Sequence, residues 1–186
     1  MIPTEDQVKA LWDKYHLPQI KRLHASLVAR VAIFLATKLQ EAGSEYHINE
    51  PLLRAAALLH DIDKSIPPLG GEKHPDTAVR VLMEGKMDEV ATVVKTHPLH
   101  AIVDEAIAPK SWEEKLLYLA DKMVKYEIIT VDKRFALWND EHLPKEAQAV
   151  LDACYPRVKA LEKEIFDIIH VAPEEVGKMV EMTKLA

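Results

Sequence analysis

The segment 52–64, which reads LLRAAALLHDIDK, constrains the fold of this chain more than any other. Its apolar residues surround a helix almost completely, so we expect that helix to be buried on most sides. Asn49 is a suitable N-cap, and Pro51 falls in the first turn, where a missing N–H costs nothing. The helix leads directly into His60 and Asp61, which are costly to bury without partners. A divalent cation at this end of the helix would neutralise the carboxylate and bind the imidazole lone pair.

The composition predicts an all-α protein. The chain has 186 residues, 48% of them apolar and only 5 of them glycine, and no strand-like alternating run is bounded by turn residues. The single cysteine, Cys154, excludes an internal disulfide and favours a reducing cytoplasm. No N-terminal signal and no membrane-length apolar run are found, so we expect a cytoplasmic protein that does not cross a membrane. A net charge of −6 argues against a broad nucleic-acid surface but is compatible with a small phosphorylated substrate.

Helical periodicity and turn residues place the elements along the chain. We predict helices over 5–15, 20–42, 52–61, 75–84, 87–96, 112–127, 132–138, 145–154, 156–169 and 173–185, and a loop over 65–73. Pro156 is expected to separate two of these helices. We expect one domain over 1–186, with a motif-bearing core over about 23–126 and a helical extension over 132–186. The extension either covers the core or forms a homodimer contact.

Three predicted helices carry metal-ligand residues on apolar faces. His24 falls on the apolar stripe of the 20–42 helix, Asp121 on the inner face of the 112–127 helix, and His60 and Asp61 end the 52–61 helix. Taken singly, each has an ordinary explanation as a hydrogen-bonded core histidine or a solvent-facing carboxylate. Together they predict a site for a hard-to-borderline cation inside a helical bundle. The apolar stripe that includes His24 is formed by Ile20, Leu23, Leu27, Val28, Val31, Phe34, Leu35 and Leu39.

Three local sequences carry a family resemblance. They are H-x-x-x-V-A over 24–29, AALLHDIDK over 56–64 and LYLADK over 117–122. This pattern resembles the HD-domain superfamily of metal-dependent phosphohydrolases over about 23–126. The resemblance implies an all-α HD fold and hydrolysis of a nucleotide or dinucleotide phosphoester or phosphoanhydride by a metal-activated water. It also implies that His24, His60, Asp61 and Asp121 bind a first metal.

Two further histidines, His74 and His97, suggest a second metal. In the HDIG-type proteins and the symmetrical dinucleoside-tetraphosphate hydrolases, histidines at these places bind a second metal, and Asp61 then bridges the pair. The alternatives are that both histidines are surface residues beside prolines, or that His100 either replaces His97 or lies behind a metal ligand and supports it. The implied cofactor is one or two divalent metals, Fe, Mn, Co or Ni, with Mg also compatible. Asp63 departs from the glycine of the HDIG form, and it either supports a metal ligand or repels a phosphate.

The resemblance also implies which residues act in catalysis and in substrate binding. Asp61 and Lys64 are the expected catalytic residues, with Lys64 neutralising a phosphate oxygen, although a solvated lysine is an equal alternative. Lys64, Lys122 and Arg134 are the expected substrate-binding residues. Three other functions stay open: a di-iron HD-type oxygenase, a nucleotide-binding regulator with little turnover, and a purely structural metal site. The remaining histidines, which we expect at the surface, are His16, His47, His142 and His170.

Overall fold

The computed structural model describes residues 1–183, and the chain is 69% helical. No strand occurs within these residues, which confirms the predicted all-α class. The α-helices are α1 Glu5–Lys14, α2 Gln19–Ala42, α3 Glu50–Leu59, α4 Asp76–Glu84, α5 Asp88–Lys95, α6 Trp112–Lys122, α7 Val131–Asn139, α8 Lys145–Ile169 and α9 Val176–Met182. Short 3₁₀ turns cover Ile62–Ser65, Leu99–Val103 and Pro173–Glu175.

Helix α2 is the centre of the bundle and packs against α3, α6 and α8. Its inner face carries buried alanines at helical spacing, and α3 contributes three more; they are Ala25, Ala29, Ala32, Ala36, Ala55, Ala56 and Ala57. Small side chains let two helices approach closely, which brings their ends near each other. Helix α5 packs on α3 and α6, and α4 packs on α5. The ends of five helices, α2 to α6, therefore surround one region of the bundle.

The predicted helix caps are confirmed. The Asn49 side chain accepts a hydrogen bond from the Leu52 N–H at the start of α3. Ser111 and Glu114 form a capping box at the start of α6. Each of these caps satisfies backbone N–H groups that have no partner within the helix.

Several predicted boundaries were wrong. Helix α8 continues through Pro156, because Pro156 lies on the exposed face, where water can reach the carbonyl that the missing N–H leaves free. Helix α3 ends at Leu59, and the chain tightens into a 3₁₀ turn after Asp61. Helix α6 ends at Lys122 and not at residue 127, since the chain folds back and the Ile129 N–H donates to the Met123 carbonyl. The predicted end of the last helix at residue 185 lies outside the described residues.

Some surface predictions were also tested. Ile20 and Leu23, predicted on the buried stripe of α2, are about half exposed, at 50% and 46%. They lie in the first turns of α2, before the bundle closes around it. His16, His47, His142 and His170 are exposed, as predicted. Within residues 1–183, none of the helices combines the length and apolar character that crossing a membrane requires.

Candidate metal centre

Histidine and aspartate side chains from five elements converge where these helices end. Three groups bring ligand atoms within 4.8 Å of one another: His24, His60 and Asp121; His60, Asp61 and His97; and Asp61, Asp63 and His74. His60 and Asp61 each belong to two groups, so the groups form one continuous cluster. All six residues predicted as metal ligands lie in this cluster, and Asp63 is its seventh member.

The first half of the cluster forms around Asp121, in the last turn of α6. Its Oδ1 lies 3.1 Å from His24 Nε2 and 3.5 Å from His60 Nε2. His24 comes from the first half of α2, and His60 is the C-cap of α3. The close packing of α2 with α3 and α6 therefore produces this geometry.

The second half forms between the ends of α4 and α5. His97, two residues beyond α5, is buried, and its Nε2 lies 2.9 Å from the Nε2 of His74, just before α4. Asp61 Oδ1 lies 3.8 Å from His74 Nε2. The burial of His97 contradicts the alternative that both histidines are surface residues. His100 is exposed, although it lines the same cavity.

The four histidines share one orientation. Each donates its Nδ1–H to a fixed oxygen: His24 to the Lys125 carbonyl at 3.2 Å, His60 to the Ala57 carbonyl at 2.8 Å, His97 to the Val94 carbonyl at 2.6 Å and His74 to the Asp63 carboxylate at 2.8 Å. A ring that donates from Nδ1 presents the lone pair of Nε2 on its other side. All four Nε2 atoms face the shared cluster. Oxygen partners of this kind are what fix the tautomer of metal-binding histidines.

The donor set fits a divalent cation. Ligand atoms of His and Asp lie only 2.9 to 3.8 Å apart. Ligands about 2.1 Å from a shared metal are about 3.0–3.5 Å apart, so the separations around Asp121, 3.1 and 3.5 Å, are those of groups that share an ion. His60 Nε2 is buried and has no hydrogen-bond partner among the described residues. A cation in this position would satisfy it, and the mixed nitrogen and oxygen ligands suit a divalent metal.

The charged groups of the cluster shift one another's pKa values. Burial raises the pKa of Asp61, but His60 and Lys64 outweigh it and hold the pKa of this carboxyl well below its usual range. Burial likewise raises the pKa of Asp121, and Lys122 with the two neighbouring histidines outweighs it. Burial and the nearby His60 hold the pKa of His97 well below its usual value. Both carboxylates and His97 are therefore in the protonation states that metal binding requires.

Lys122 is buried inside the fold. Its side chain is 1% exposed, and its ammonium donates to the Asp121 Oδ2 at 2.8 Å and to the His97 carbonyl. It also lies 4.2 Å from the centre of the Tyr118 ring. The lysine thus joins the two halves of the cluster, since Asp121 belongs to one and His97 to the other. Its predicted contact with substrate stays a prediction.

The cluster forms the floor of a cavity of about 470 Å³. Basic side chains outnumber acidic ones in its lining by five to two, although the chain carries a net charge of −6. The basic residues are Lys21, Lys64, Lys122, Lys125 and Arg134, and the acidic ones are Asp61 and Asp121. The cavity is therefore suited to an anion.

Lys64 and Arg134 line this cavity together with Lys122, so all three predicted substrate-binding residues do. Lys64 Nζ lies 3.6 Å from Asp61 Oδ1, because side chains three residues apart eclipse in a 3₁₀ turn. Arg134, on α7, has its guanidinium 4.4 Å from the centre of the Trp138 ring, and its Nε is buried without a hydrogen-bond partner among the described residues. Their proximity to the cluster agrees with contact to a substrate but does not test it.

Sequence reasoning missed other residues of the cavity. Lys21 lies one turn before His24 on α2, and its Nζ is 3.1 Å from Asp61 Oδ2. The helical spacing of Lys21 and His24 was a usable signal. Lys125 and the exposed Tyr126 were hidden by the predicted continuation of α6, because the turn after Lys122 carries them to the cavity.

Comparison with known families agrees with this geometry. The model of the HD domain family matches residues 23–155, most of the chain. The protein therefore belongs to the HD domain family, whose members are in general metal-dependent hydrolases. The match extends past the predicted motif core, which ended at about residue 126, into α8. Comparisons with curated proteins and with solved structures gave no match.

Proposed function

We propose that this protein is a metal-dependent phosphohydrolase that cleaves a phosphoester or phosphoanhydride of a nucleotide or dinucleotide. The supporting observation is the combination of a His/Asp cluster at the floor of the cavity with an excess of basic side chains in its walls. A phosphoryl group is a substrate group that a divalent cation and several positive charges stabilise together.

In this proposal the cluster holds two divalent metals. His24, His60, Asp61 and Asp121 would hold the first, and Asp61, His74 and His97 the second. When bound, such metals supply a water of lowered pKa and polarise the phosphoryl group. Asp61 lies between the two halves of the cluster and is the residue that would join them.

The basic residues orient the phosphate. Lys21 Nζ lies 3.1 Å from Oδ2 of Asp61, and Lys64 Nζ lies 3.6 Å from Oδ1 of the same carboxylate. Both ammonium groups are therefore next to the cluster. They would neutralise phosphoryl oxygens that carry the charge of the transition state. Arg134, farther along the cavity wall on α7, would bind a second phosphate with its planar guanidinium.

The nucleotide part of the proposal is supported by the cavity rim. Tyr126 is 67% exposed and Ile20 is 50% exposed, and both line the cavity beside the basic residues. An exposed aromatic ring next to a phosphate site is a suitable surface for stacking a base, which contributes about 1–3 kcal/mol by alanine substitution. A substrate with an anionic part and a flat apolar part would use both surfaces.

The test is hydrolysis by the metal-loaded protein. Protein reconstituted with Mn²⁺, Co²⁺, Ni²⁺ or Fe²⁺ is assayed against nucleoside mono- and diphosphates, dinucleoside polyphosphates and a small phosphoester that lacks a base. We expect turnover of a base-containing substrate, loss of at least about 100-fold in Asp61→Asn, and no change in Asp76→Asn. Asp76 is an exposed aspartate that caps the Lys73 N–H, which makes it a matched control.

Three results would contradict the proposal. Metal binding with no hydrolysis on the whole panel would favour a regulator. A reaction that requires oxygen would favour the di-iron oxygenase. Turnover that survives Asp61→Asn would show that the cluster is not the reacting site.

A further inference from the structure

Asp63 has a contact that suggests a specific role. It occupies the position that is glycine in the HDIG form, and its side chain is 5% exposed. One carboxylate oxygen, Oδ2, lies 2.8 Å from His74 Nδ1. The other, Oδ1, is buried and has no hydrogen-bond partner among the described residues.

Asp63 contacts His74 on the side of the ring that faces away from the cluster. The opposite ring nitrogen, Nε2, lies 2.9 Å from His97 Nε2 and 3.8 Å from Asp61 Oδ1. The two nitrogens of an imidazole point to different sides of the ring. A carboxylate that accepts from Nδ1 therefore influences a metal at Nε2 only through the ring. The position of Asp63 is that of a carboxylate behind a metal-binding histidine.

His74 needs such a partner more than the other three histidines. His60 and His97 donate to carbonyls three residues earlier in their own helices, and His24 donates to the Lys125 carbonyl. His74 precedes its helix and its side chain is 31% exposed, against 11% for His24 and 1% for His60. Without Asp63, the ring would keep no contact on its Nδ1 side among those described.

The contact is a poor source of folding stability. A buried carboxylate with one oxygen unpartnered carries a desolvation cost that a single hydrogen bond does not offset. A glycine or alanine at this position would avoid that cost. A costly buried carboxylate beside a metal cluster indicates a role in the site.

We propose that Asp63 is a positioning residue, which fixes the tautomer and orientation of His74 and thereby sets the affinity for a divalent cation at His74, His97 and Asp61. The inference rests on the two-metal site of the proposed function. It concerns metal binding, so it does not depend on which substrate is hydrolysed. In this chain the departure from the glycine form therefore strengthens one half of the cluster.

The experiment is Mn²⁺ titration followed by electron paramagnetic resonance, on wild type, Asp63→Ala, Asp63→Asn, His74→Ala and the Asp63→Ala/His74→Ala double variant. Of the two Mn²⁺ affinities, we expect the one that His74→Ala weakens to fall about 10–100-fold in Asp63→Ala while the other is unchanged. Asp63→Asn should lose less, because an amide oxygen still accepts from Nδ1. The double variant should match His74→Ala, since Asp63 acts through that ring.

A surface variant and a melting curve control for folding. Asp167→Ala removes an exposed carboxylate that pairs with Lys163, and we expect both Mn²⁺ affinities unchanged. The metal-free melting temperature of Asp63→Ala should be equal to or above that of wild type. If Asp63→Ala fails to fold, the isosteric Asp63→Asn still reports the affinity.

Distinct results would overturn the inference. Equal losses in Asp63→Asn and Asp63→Ala, with further loss in the double variant, would make Asp63 a direct ligand. Unchanged affinity in Asp63→Ala would remove it from the site. One Mn²⁺ per wild-type chain would overturn this inference together with the two-metal site, whereas two Mn²⁺ without hydrolysis would retire the proposed activity alone.

Discussion

Replacing Lys122 by methionine distinguishes a structural lysine from a substrate-binding one. Lys122 is buried, and its ammonium pairs with Asp121 at 2.8 Å and donates to the His97 carbonyl. Methionine nearly conserves the volume and removes the charge, so the main loss is electrostatic. We expect the metal-free protein to lose free energy of unfolding because Asp121 would remain charged without this cation.

The size of the loss follows from the contacts. Removing one partner of a buried ion pair costs about 3–5 kcal/mol. The lower value applies, because Asp121 is 17% exposed and keeps its contact with His24. About 3 kcal/mol corresponds to a shift of about 1–2 M in the urea midpoint for a slope of about 2 kcal/mol/M.

The assay is urea unfolding followed by circular dichroism, with and without saturating Mn²⁺. We expect Mn²⁺ to narrow the difference between Lys122→Met and wild type, since a cation on Asp121 replaces the lost charge. Lys133→Met is the matched control: its exposed pair with Glu127 is worth at most about 1 kcal/mol. An unchanged urea midpoint in Lys122→Met, with a raised KM, would refute the structural role and support direct substrate contact.

Three further predictions concern the cavity, the loop and α8. Lys21→Ala and Lys64→Ala should each lower kcat/KM for a phosphorylated substrate about 10-fold, as loss of a charge-assisted hydrogen bond does, with an unchanged far-UV circular dichroism spectrum as the folding control. The hydrogen bond from Arg80 is the main contact that lowers the pKa of Glu72 to about 2, below its ordinary 4.5. This carboxylate therefore stabilises the fold above pH 4.5, and that contribution is lost as the pH falls towards 2. Melting curves from pH 6 to 2 should therefore show a steeper decline for wild type than for Glu72→Gln, and parallel declines would contradict this. Pro156→Ala should raise the free energy of unfolding by about 1–3 kcal/mol, because it restores a helical N–H inside α8, and a lower urea midpoint would refute it.

Much of the fold was predictable because local signals and packing agree. The apolar stripe of α2, the alanine-rich α3 and the Ser111 capping box each point to the element that forms. Pro156 misled because the sequence does not show which face of α8 is exposed. The end of α6 was missed because it depends on a tertiary turn, in which Ile129 bonds back to Met123.

The candidate site was likewise predictable only in part. His24, His60 and Asp121 could be predicted because helical spacing placed each of them on an apolar face. The oxygen atoms that orient the histidine rings could not be predicted. For example, the Lys125 carbonyl that orients His24 comes from the unpredicted turn after α6. Asp63 could be recognised as unusual, but only the structure shows which ring nitrogen it contacts.

Metal content per chain tests the central claim most directly. Mass spectrometric metal analysis of Mn²⁺-loaded wild type, His97→Ala and His100→Ala compares a buried histidine in the cluster with an exposed neighbour in the same cavity. A two-metal site predicts about two Mn²⁺ per chain in wild type and His100→Ala, and about one in His97→Ala. One Mn²⁺ in all three proteins would contradict it and leave His74 and His97 without a metal.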